Sequence, residues 1–479
     1  MRWFTFLIVF NLPLLLFSQF EAWDGDKDGI PDPWERERAL DINDPTDAWA
    51  DPDEDGVLNI YEYFLGTDPQ DRNQPKFIAY QGDIPLQDFI AQAARGVVLQ
   101  IPEGVYDLQY NHSPIAEAPR LLIQGGWKAD FTERDYCAYP TVFLGQDGGA
   151  IFNYLLVDGN SSALILDGIE MRQATSGAIR YTSYLSKVQL LLANCQLINN
   201  EAHRAASILH FEDGEFSLLS DLILLNTIIA DNQGTAIHLE QHATRANFKL
   251  LHSLLALNNF STNDDPPFSS GYGLTFETDA DSLLQMQLTN SIIWGNEKAD
   301  VALWEGMEAR TQIRSTYNIY GFFENDPNAR FFNHPSDRSI DPQLLNDAAS
   351  HFRLDEDSPA RANGSYIGFG PVFSTDIGPT ACDFPLTSSR ELTAADHAIK
   401  IYPNPTRETL YLERVGDEGT AIYLQIYNQW GQKVGTLAKA SMPGNQNRMA
   451  ISTAHLPPAC YYLQYKIGGK SAGQFFIKN

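Results

Sequence analysis

A seven-residue phrase that recurs four times between residues 194 and 296 constrains the fold of this chain more than any other feature. Each copy places an apolar pair between two polar or turn-forming positions. One strand-like phrase precedes each copy and another follows it, so a repeat holds three short strands separated by turns. The copies are NCQLINN at 194–200, NTIIADN at 226–232, HSLLALN at 252–258 and NSIIWGN at 290–296.

Three short strands per repeat describe one coil of a β-solenoid. A single coil cannot bury its apolar side chains, whereas stacked coils enclose them in a continuous core. We therefore predict an all-β chain whose middle part is a parallel β-helix. The alternatives are a β-sandwich or a propeller, although a propeller blade would show four strands over about 40 residues with a signature of its own.

The repeat also predicts which side chains stack. One interior column should hold Leu197, Ile229, Leu255 and Ile293, and a second should hold Ile208, Ile237, Leu274 and either Leu303 or Val301. Asparagine tolerates the left-handed turn conformation, and its amide can bond to the coils above and below. Two polar ladders are therefore expected, one of Asn194, Asn226, His252 and Asn290, and one of Asn200, Asn232, Asn258 and Asn296.

The flanking segments carry a family resemblance. Three segments carry it: LQDFIAQAARGVVLQIPEGVYDL at 86–108, LLIQGGWKADFTERDYCAYPTVFLG at 121–145 and DPQLLNDAASHFRLDEDSPARANG at 341–364. They resemble segments of the pectin-lyase-like right-handed β-helix superfamily, above all of its surface proteins with polymorphic-membrane-protein-like repeats. The resemblance implies a right-handed parallel β-helix over residues 77–380. Within it, one helical face should hold Leu86, Phe89, Ile90 and Ala93, in a short helix that covers the open end of the solenoid.

Two acidic runs near the N-terminus follow the spacing of calcium-binding loops, in which positions 1, 3, 5, 9 and 12 offer side-chain oxygens and position 7 a backbone carbonyl. A glycine at position 6, here Gly29 and Gly56, makes the sharp turn. The first run supplies Asp24, Asp26, Asp28, Ile30, Asp32 and Glu35, and the second supplies Asp51, Asp53, Asp55, Val57, Asn59 and Glu62. Ile30 and Val57 would contribute their carbonyl oxygens.

Both runs depart from an EF-hand, because no strong helix precedes either loop and Pro31 and Pro33 lie inside the first. The stretch from WERERALDINDPTDA to EYFLGTDP, within residues 34–69, resembles thrombospondin type 3-like repeats of bacterial surface proteins. The resemblance implies that residues 19–75 bind Ca²⁺ as a cofactor. The alternative is an acidic, solvated linker that binds no cation tightly.

The C-terminal part returns to strand-like alternation after a linker at 383–398. Its order of IYPNPT at 401–406, a hairpin with Gly431 and a final strand that ends in lysine resembles the type IX secretion sorting domain of Bacteroidetes. Residues 399–479 should then form a β-sandwich that engages the type IX secretion machinery, in a protein that is secreted or held at the outer-membrane surface. A plain β-sandwich binding module is the alternative.

Residues 1–18 have the charged start, apolar stretch and small final residue of a signal peptide, and we expect no other transmembrane anchor. The net charge of −28 argues against nucleic acid and anionic lipid as partners. Four cysteines without CxxC spacing argue against a thiolate metal site and leave the disulfide pairing of Cys137, Cys195, Cys382 and Cys460 open.

Hydrolases of the pectin-lyase-like fold carry Asp-Asp on one coil, Gly-His-Gly on the next and then Arg-Ile-Lys. The sequence has none of these on a coil, since Asp264 and Asp265 lie in a Pro-rich loop and no histidine stands between glycines. No catalytic residue is therefore assigned. The remaining polar groups are interpreted as a solvated face of the coils; they are His203, Arg204, His238, His242 and Arg245. The sequence favours a protein for adhesion or for binding a polysaccharide or another surface ligand, and a polysaccharide lyase or hydrolase is the alternative.

Overall fold

The computed structural model describes residues 24–478 with gaps at 109, 113–119, 146–148, 157–160, 186, 203–206, 215–216, 260–270, 279–282, 304–310, 325–333, 346–351, 356, 366–375, 380–398, 403–406, 408, 415–421, 429–432, 441–447, 455, 457–458 and 468–469. The chain divides into two compact units. The first unit comprises Met1–Gly364 and Asp376–Pro385, and the second comprises Ser365–Thr375 and Leu386–Asn479. The signal peptide and the linker predicted at 1–18 and 383–398 lie outside the described residues.

The first unit contains short helices and many short strands. Its helices are α1 (Asp32–Glu37), a 3₁₀ turn (Asp47–Trp49), α2 (Asn59–Leu65) and α3 (Leu86–Ala91). Its strands are β1 (Lys76–Ala79), β2 (Val97–Pro102), β3 (Gly104–Asp107), β4 (Tyr110–His112), β5 (Arg120–Trp127), β6 (Thr141–Leu144), β7 (Phe152–Leu156), β8 (Ser161–Asp167), β9 (Ile169–Arg172), β10 (Ile179–Ser183), β11 (Lys187–Ala193), β12 (Gln196–Ile198), β13 (Ser207–Asp213), β14 (Leu219–Leu225), β15 (Ile228–Ala230), β16 (Thr235–Gln241), β17 (Arg245–Leu251), β18 (Leu254–Ala256), β19 (Tyr272–Thr278), β20 (Leu283–Thr289), β21 (Ile292–Trp294), β22 (Ala299–Leu303), β23 (Thr311–Thr316), β24 (Ile319–Tyr320), β25 (Phe323–Glu324), β26 (Leu344–Leu345) and β27 (Arg353–Leu354).

Three long parallel sheets make this unit a solenoid. The first sheet has the order β1-β2-β5-β8-β11-β14-β17-β20-β23, the second β3-β6-β9-β12-β15-β18-β21-β24 and the third β4-β7-β10-β13-β16-β19-β22-β25. β1 pairs with β2, and from β2 onward successive strands pass from sheet to sheet, so that each pairs with the strand three places along the chain. The unit is mostly β with long parallel sheets, which is consistent with the predicted parallel β-helix.

The first predicted interior column is confirmed. Leu197 pairs with Ile229, which pairs with Leu255, which pairs with Ile293 in the second sheet. None of the four is exposed, and all belong to one core that runs the length of the solenoid. Isoleucine and leucine suit these positions because parallel strands buried on both faces select branched apolar side chains.

The second predicted column is wrong at one position. Leu209, and not Ile208, pairs with Ile237, and the column continues through Leu274 to Val301. The predicted column thus places the segment ASILHF at 206–211 one residue out of register with TAIHLE at 235–240. Since side chains alternate between the faces of a strand, that shift exchanges the inward and outward sets of the whole strand.

The polar ladders form as expected. In the second ladder, the Nδ2 groups of Asn200, Asn232 and Asn258 each donate to the Oδ1 atom of the next asparagine, at 3.2, 2.9 and 2.8 Å. In the first ladder, Asn226 donates to Asn194 at 2.9 Å. All four residues of the first ladder have positive φ, whereas in the second ladder the preceding residue, such as Asn199 or Asp231, takes that conformation.

Helix α3 closes one end of the core. Leu86 and Ile90 are buried in the solenoid core, and Phe89 and Ala93 pack against it. The ring of Phe89 lies 5.1 Å from that of Tyr80, which follows β1. The predicted amphipathic helix is present over Leu86–Ala91, so Ala93 lies beyond its end, and the helix covers apolar side chains of the first coils.

The N-terminal segment, residues 24–66, packs on the outside of the first sheet. An outward row of this sheet is apolar and buried, and it consists of Val98, Leu122, Ile165, Leu191 and Ile223. The backbone of Gly29 approaches Ile223 and Ile60, and helix α2 contacts β5 and β8. Because apolar surface is removed from water on both sides, this contact holds the segment against the solenoid.

The second unit is antiparallel. Its strands are β28 (Ile399–Tyr402), β29 (Thr409–Arg414), β30 (Ile422–Asn428), β31 (Lys433–Ala440), β32 (Arg448–Ser452), β33 (Ala459–Ile467) and β34 (Lys470–Lys478). They form a three-stranded sheet, β28-β29-β32, and a four-stranded sheet, β31-β30-β33-β34. The β-sandwich arrangement of these sheets stays a prediction.

Candidate functional site

The first acidic loop turns alternate side chains inward. Asp24, Asp26 and Asp28 are half-buried or buried, while Gly25 and Lys27 between them are exposed. The N–H of Asp28 donates to Asp26 Oδ1 at 3.2 Å, and the N–H of Gly29 donates to Asp24 Oδ2 at 3.3 Å. Gly29 has a φ of 109°, a conformation that favours glycine, so the sharp turn expected at position 6 is present.

The second acidic loop repeats this geometry. The N–H of Asp55 donates to Asp53 Oδ1 at 3.3 Å, and the N–H of Gly56 donates to Asp51 Oδ2 at 2.8 Å. In both loops the residue at position 7 donates its N–H to the aspartate at position 5, as Val57 does to Asp55 at 2.8 Å. The two loops therefore share one backbone conformation and one set of hydrogen bonds.

Most of these carboxylates keep one buried oxygen that accepts no hydrogen bond from the described residues. A buried polar atom without a partner destabilises a fold, so such atoms are rare unless a ligand meets them. The oxygens are Asp24 Oδ1, Asp26 Oδ2, Asp28 Oδ2, both Oε atoms of Glu35, Asp47 Oδ1, Asp53 Oδ2, Asp55 Oδ2, Asn59 Oδ1 and Glu62 Oε2. A set of carboxylate and amide oxygens fits a hard cation such as Ca²⁺.

The glutamates at position 12 are fully buried. Neither Glu35 nor Glu62 is exposed to solvent. Burial, together with the charge of Asp26, raises the pKa of Glu35 to about 8. Burial, together with the charge of Asp55, raises the pKa of Glu62 to about 8. Each glutamate is thus electrostatically coupled to the loop in which the sequence placed it.

Position 9 behaves differently in the two loops. Asp32 accepts a hydrogen bond from the N–H of Gly25 at 2.7 Å and pairs with Arg36 at 2.9 Å, so both of its oxygens are engaged within the protein. Asp47, which the spacing did not single out, lies instead with Asp28 and Glu35, with carboxylate oxygens within 4.8 Å of one another. Asn59 donates its side-chain amide to the carbonyl of Asp47 at 2.7 Å, which joins the second loop to the first.

Two lysines on strands of the first sheet donate hydrogen bonds to the N-terminal segment. The ammonium group of the buried Lys249 donates to the carbonyl of Lys27 at 2.8 Å. Lys187 donates to the hydroxyl of Tyr63 at 2.7 Å. Burial raises the pKa of Asp28, and the nearby ammonium group of Lys249 partly offsets that rise.

A polar groove of about 390 Å³ lies where the second sheet turns into the third. One wall follows Gln173, Asn199 and Asp231, which have positive φ on successive coils. The other follows Glu201, Gln233 and Asn259, which are joined by parallel bridges. Buried asparagines of the second ladder, Asn200 and Asn232, lie between the walls.

The other polar residues that the sequence analysis named do not form one cluster among the described residues. His203 and Arg204 lie outside the described residues. His238 and His242 lie on β16 and just beyond it, on the outside of the third sheet, where Glu240 is within 3.5 Å of His242 Nε2. Arg245 opens β17 of the first sheet and donates to Gln285 at 3.0 Å.

Comparison with known proteins identifies the second unit. Residues 400–479 match the family described as the secretion system C-terminal sorting domain. This match confirms a type IX secretion sorting domain, of the kind that Bacteroidetes use, and with it an interaction with the type IX secretion machinery. The protein is therefore secreted or displayed at the cell surface. No helix among the described residues is long and apolar enough to cross a membrane.

The other comparisons add little. No curated protein matches the chain. One similar solved structure is the crystal structure of a DUF3244 family protein with an immunoglobulin-like β-sandwich fold from Bacteroides vulgatus ATCC 8482. It is 18% identical over 18% of this chain and 88% of that chain, with a TM-score of 0.15, which supports no conclusion about the fold.

Proposed function

We propose that this chain is an exported β-helix protein that binds a polysaccharide or another hydroxyl-rich surface ligand in the polar groove, and that Ca²⁺ fixes its N-terminal segment. The groove is the observation that carries the binding proposal. Its walls repeat from coil to coil, at the roughly 4.8 Å spacing of adjacent strands. A ligand with its own repeat can therefore make the same contact several times.

The chemistry of the groove supports a sugar ligand. Side-chain amides offer both donors and acceptors, and carboxylates are strong acceptors, so together they match hydroxyl groups. Gln173, Asn199, Asp231 and Gln233 are exposed, whereas Asn200 and Asn232 beneath them are fixed in the ladder. Because the framework is already ordered, less conformational entropy is lost when a ligand binds.

The test is a binding screen of the mature protein against surface polysaccharides, followed by the variant Gln173→Ala/Gln233→Ala. Two lost hydrogen bonds of about 0.5–1.5 kcal/mol each weaken binding by about fivefold to 150-fold. The matched control is Gln312→Ala, an exposed glutamine on the first sheet, which should bind as the unmodified protein does. Unchanged affinity in the groove variant, or no binding to any polysaccharide, would contradict the proposal.

The same screen separates binding from the enzymatic alternative. Glu201 and Asp231 both line the groove, so a pair of carboxylates is available there. New reducing ends or unsaturated products that disappear with Glu201→Gln would favour a hydrolase or lyase. Retained polysaccharide without product supports a binding protein.

Three features support the calcium proposal. The two loops share one conformation, most of their carboxylates keep a buried oxygen with no hydrogen-bond partner among the described residues, and a buried glutamate closes each loop. With Ca²⁺, Asp24, Asp26, Asp28, Glu35 and Asp47 would hold one ion, and Asp51, Asp53, Asp55 and Glu62 the other. The ion supplies charge neutralisation, so the energy of binding becomes energy that folds the segment onto the solenoid.

A further inference from the structure

The outside of the third sheet carries a cluster of imidazole and carboxylate groups, independent of the groove and of the acidic loops. In the register of this sheet, His210 aligns with His238 and Thr275. Glu212 aligns in the same way with Glu240 and Glu277. Aligned residues of neighbouring parallel strands lie about 4.8 Å apart, so these side chains are brought into contact by the stacking of coils.

The distances suit a metal ion. His210, Glu212 and Glu240 each offer one ligand atom, and these three atoms lie within 4.8 Å of one another. His210 Nε2 is 3.5 Å from Glu212 Oε2, and His242 Nε2 is 3.5 Å from Glu240 Oε1. Two ligands of a tetrahedral zinc ion, each roughly 2.0–2.1 Å from the metal, are about 3.4 Å apart.

The surroundings orient these groups. Thr182 Oγ1 donates to Glu212 Oε2 at 3.1 Å, and the hydroxyl of Tyr184 donates to Glu212 Oε1 at 3.3 Å. The ring of His210 stacks on that of His238 with centroids 5.4 Å apart. Hydrogen bonds of this kind around metal-binding side chains fix the direction of their lone pairs.

His210 also shows that the cluster is more than a solvated face. It is only 8% exposed, and its Nδ1 atom is buried without a hydrogen-bond partner among the described residues. Arg180 aligns with His210 on the preceding coil and marks one edge of the cluster. A buried imidazole nitrogen that makes no hydrogen bond is costly, whereas the Nε2 atom of this ring already faces Glu212.

We propose that His210, Glu212 and Glu240, with His242 as the fourth ligand, bind one divalent transition-metal ion of the zinc class. Imidazole nitrogen is a good ligand for Zn²⁺ but not for Ca²⁺ or Mg²⁺, which select oxygen. The ion would join β13 to β16 and so fasten two consecutive coils. Its chemistry separates it from the calcium ions proposed for the N-terminal segment.

The test is calorimetric titration of the mature protein with Zn²⁺ in millimolar Ca²⁺, which occupies the all-oxygen loops. We expect one ion per chain, and at least about tenfold weaker binding for His210→Gln and for Glu240→Gln. Glu240 is partly exposed, so its substitution tests the site even if the His210 variant folds poorly. His334→Gln is the matched control, since His334 is exposed and bonds only locally to Ser336.

Circular dichroism of each variant shows whether the solenoid is intact. The proposal is overturned if the folded protein takes up no Zn²⁺ at about 100 μM, a concentration at which even a weak specific site is largely filled. It is equally overturned if both cluster variants bind Zn²⁺ as tightly as the His334 control does. Replacement of Zn²⁺ by Co²⁺ adds a visible absorption band that reports nitrogen and oxygen ligands directly.

Discussion

Removal of calcium should loosen the N-terminal segment and lower the melting temperature of the first unit. For extracellular sites with dissociation constants of about 10⁻⁴–10⁻³ M, 10 mM Ca²⁺ stabilises the folded state by about 1.4–2.7 kcal/mol per site. Two loops then contribute about 3–5 kcal/mol. For a unit of this size, that corresponds to roughly 4–7 °C in the melting temperature.

The assay is scanning calorimetry of the mature protein in calcium, in magnesium and in chelator. The full chain is required because the segment packs on β5 and β8 and is anchored by Lys249. Glu62→Gln should remove about half of the calcium-dependent shift, since it keeps the contact with Thr67 but not the charge. The matched control is Glu37→Gln, an exposed glutamate in the same segment.

Two results would refute this reasoning. One is a melting temperature that differs by less than about 1 °C between calcium and chelator, well below the shift worked out above. The other is a calcium shift that Glu62→Gln leaves whole. The first result would make the acidic segment a solvated linker, and the second would show that Glu62 is not a calcium ligand.

Three further outcomes can be measured. Ile229→Asp places an unpaired charge in the core and should cost several kcal/mol of unfolding free energy in denaturant titrations, whereas Ile229→Val should cost only about 0.5–1.5 kcal/mol. Burial lowers the pKa of His252 to about 4; because the unfolded chain takes up a proton near pH 6.5, stability is lost as pH falls from there to about 4. His252→Asn should reduce that loss while keeping the first ladder, and an unchanged pH profile would contradict the assignment. Deletion of residues 399–479 should leave the protein in the periplasm of a host with type IX secretion, and normal surface display of the truncated chain would contradict the role of the sorting domain.

Much of the fold could be predicted because each coil of a solenoid corresponds to one repeat of the sequence. The interior column at Ile229 and the asparagine ladders follow from residue types that recur at equivalent positions of the repeat. The sequence alone therefore predicts them. The third sheet was harder, because ASILHF offers two overlapping apolar alternations and only pairing with β10 and β16 selects one. The resulting error of one residue also hid the cluster at His210, which exists only in the true register.

Only part of the candidate calcium site could likewise be predicted from the sequence. Loop positions 1, 3, 5 and 12 follow from spacing, since a single tight turn brings them together. Asp47 lies between the two loops, and no spacing rule points to it; the 3₁₀ turn that carries it is fixed by contacts with Asn59. Lys249 is more remote still, since it meets Lys27 only because the solenoid brings β17 beneath the first loop.

The bond between Lys249 and Lys27 spans 222 residues of sequence, and this has a consequence for the order in which the protein assembles. The N-terminal segment is synthesised first, but its docking surface is finished only when β17 has joined the stack. Contacts at such a separation form late, because the entropy of closing the intervening loop must be overcome before they are made. The acidic segment should therefore be the last part of the first unit to become protected from hydrogen exchange during refolding, and a protease that cuts near residue 30 would distinguish finished solenoids from incomplete ones.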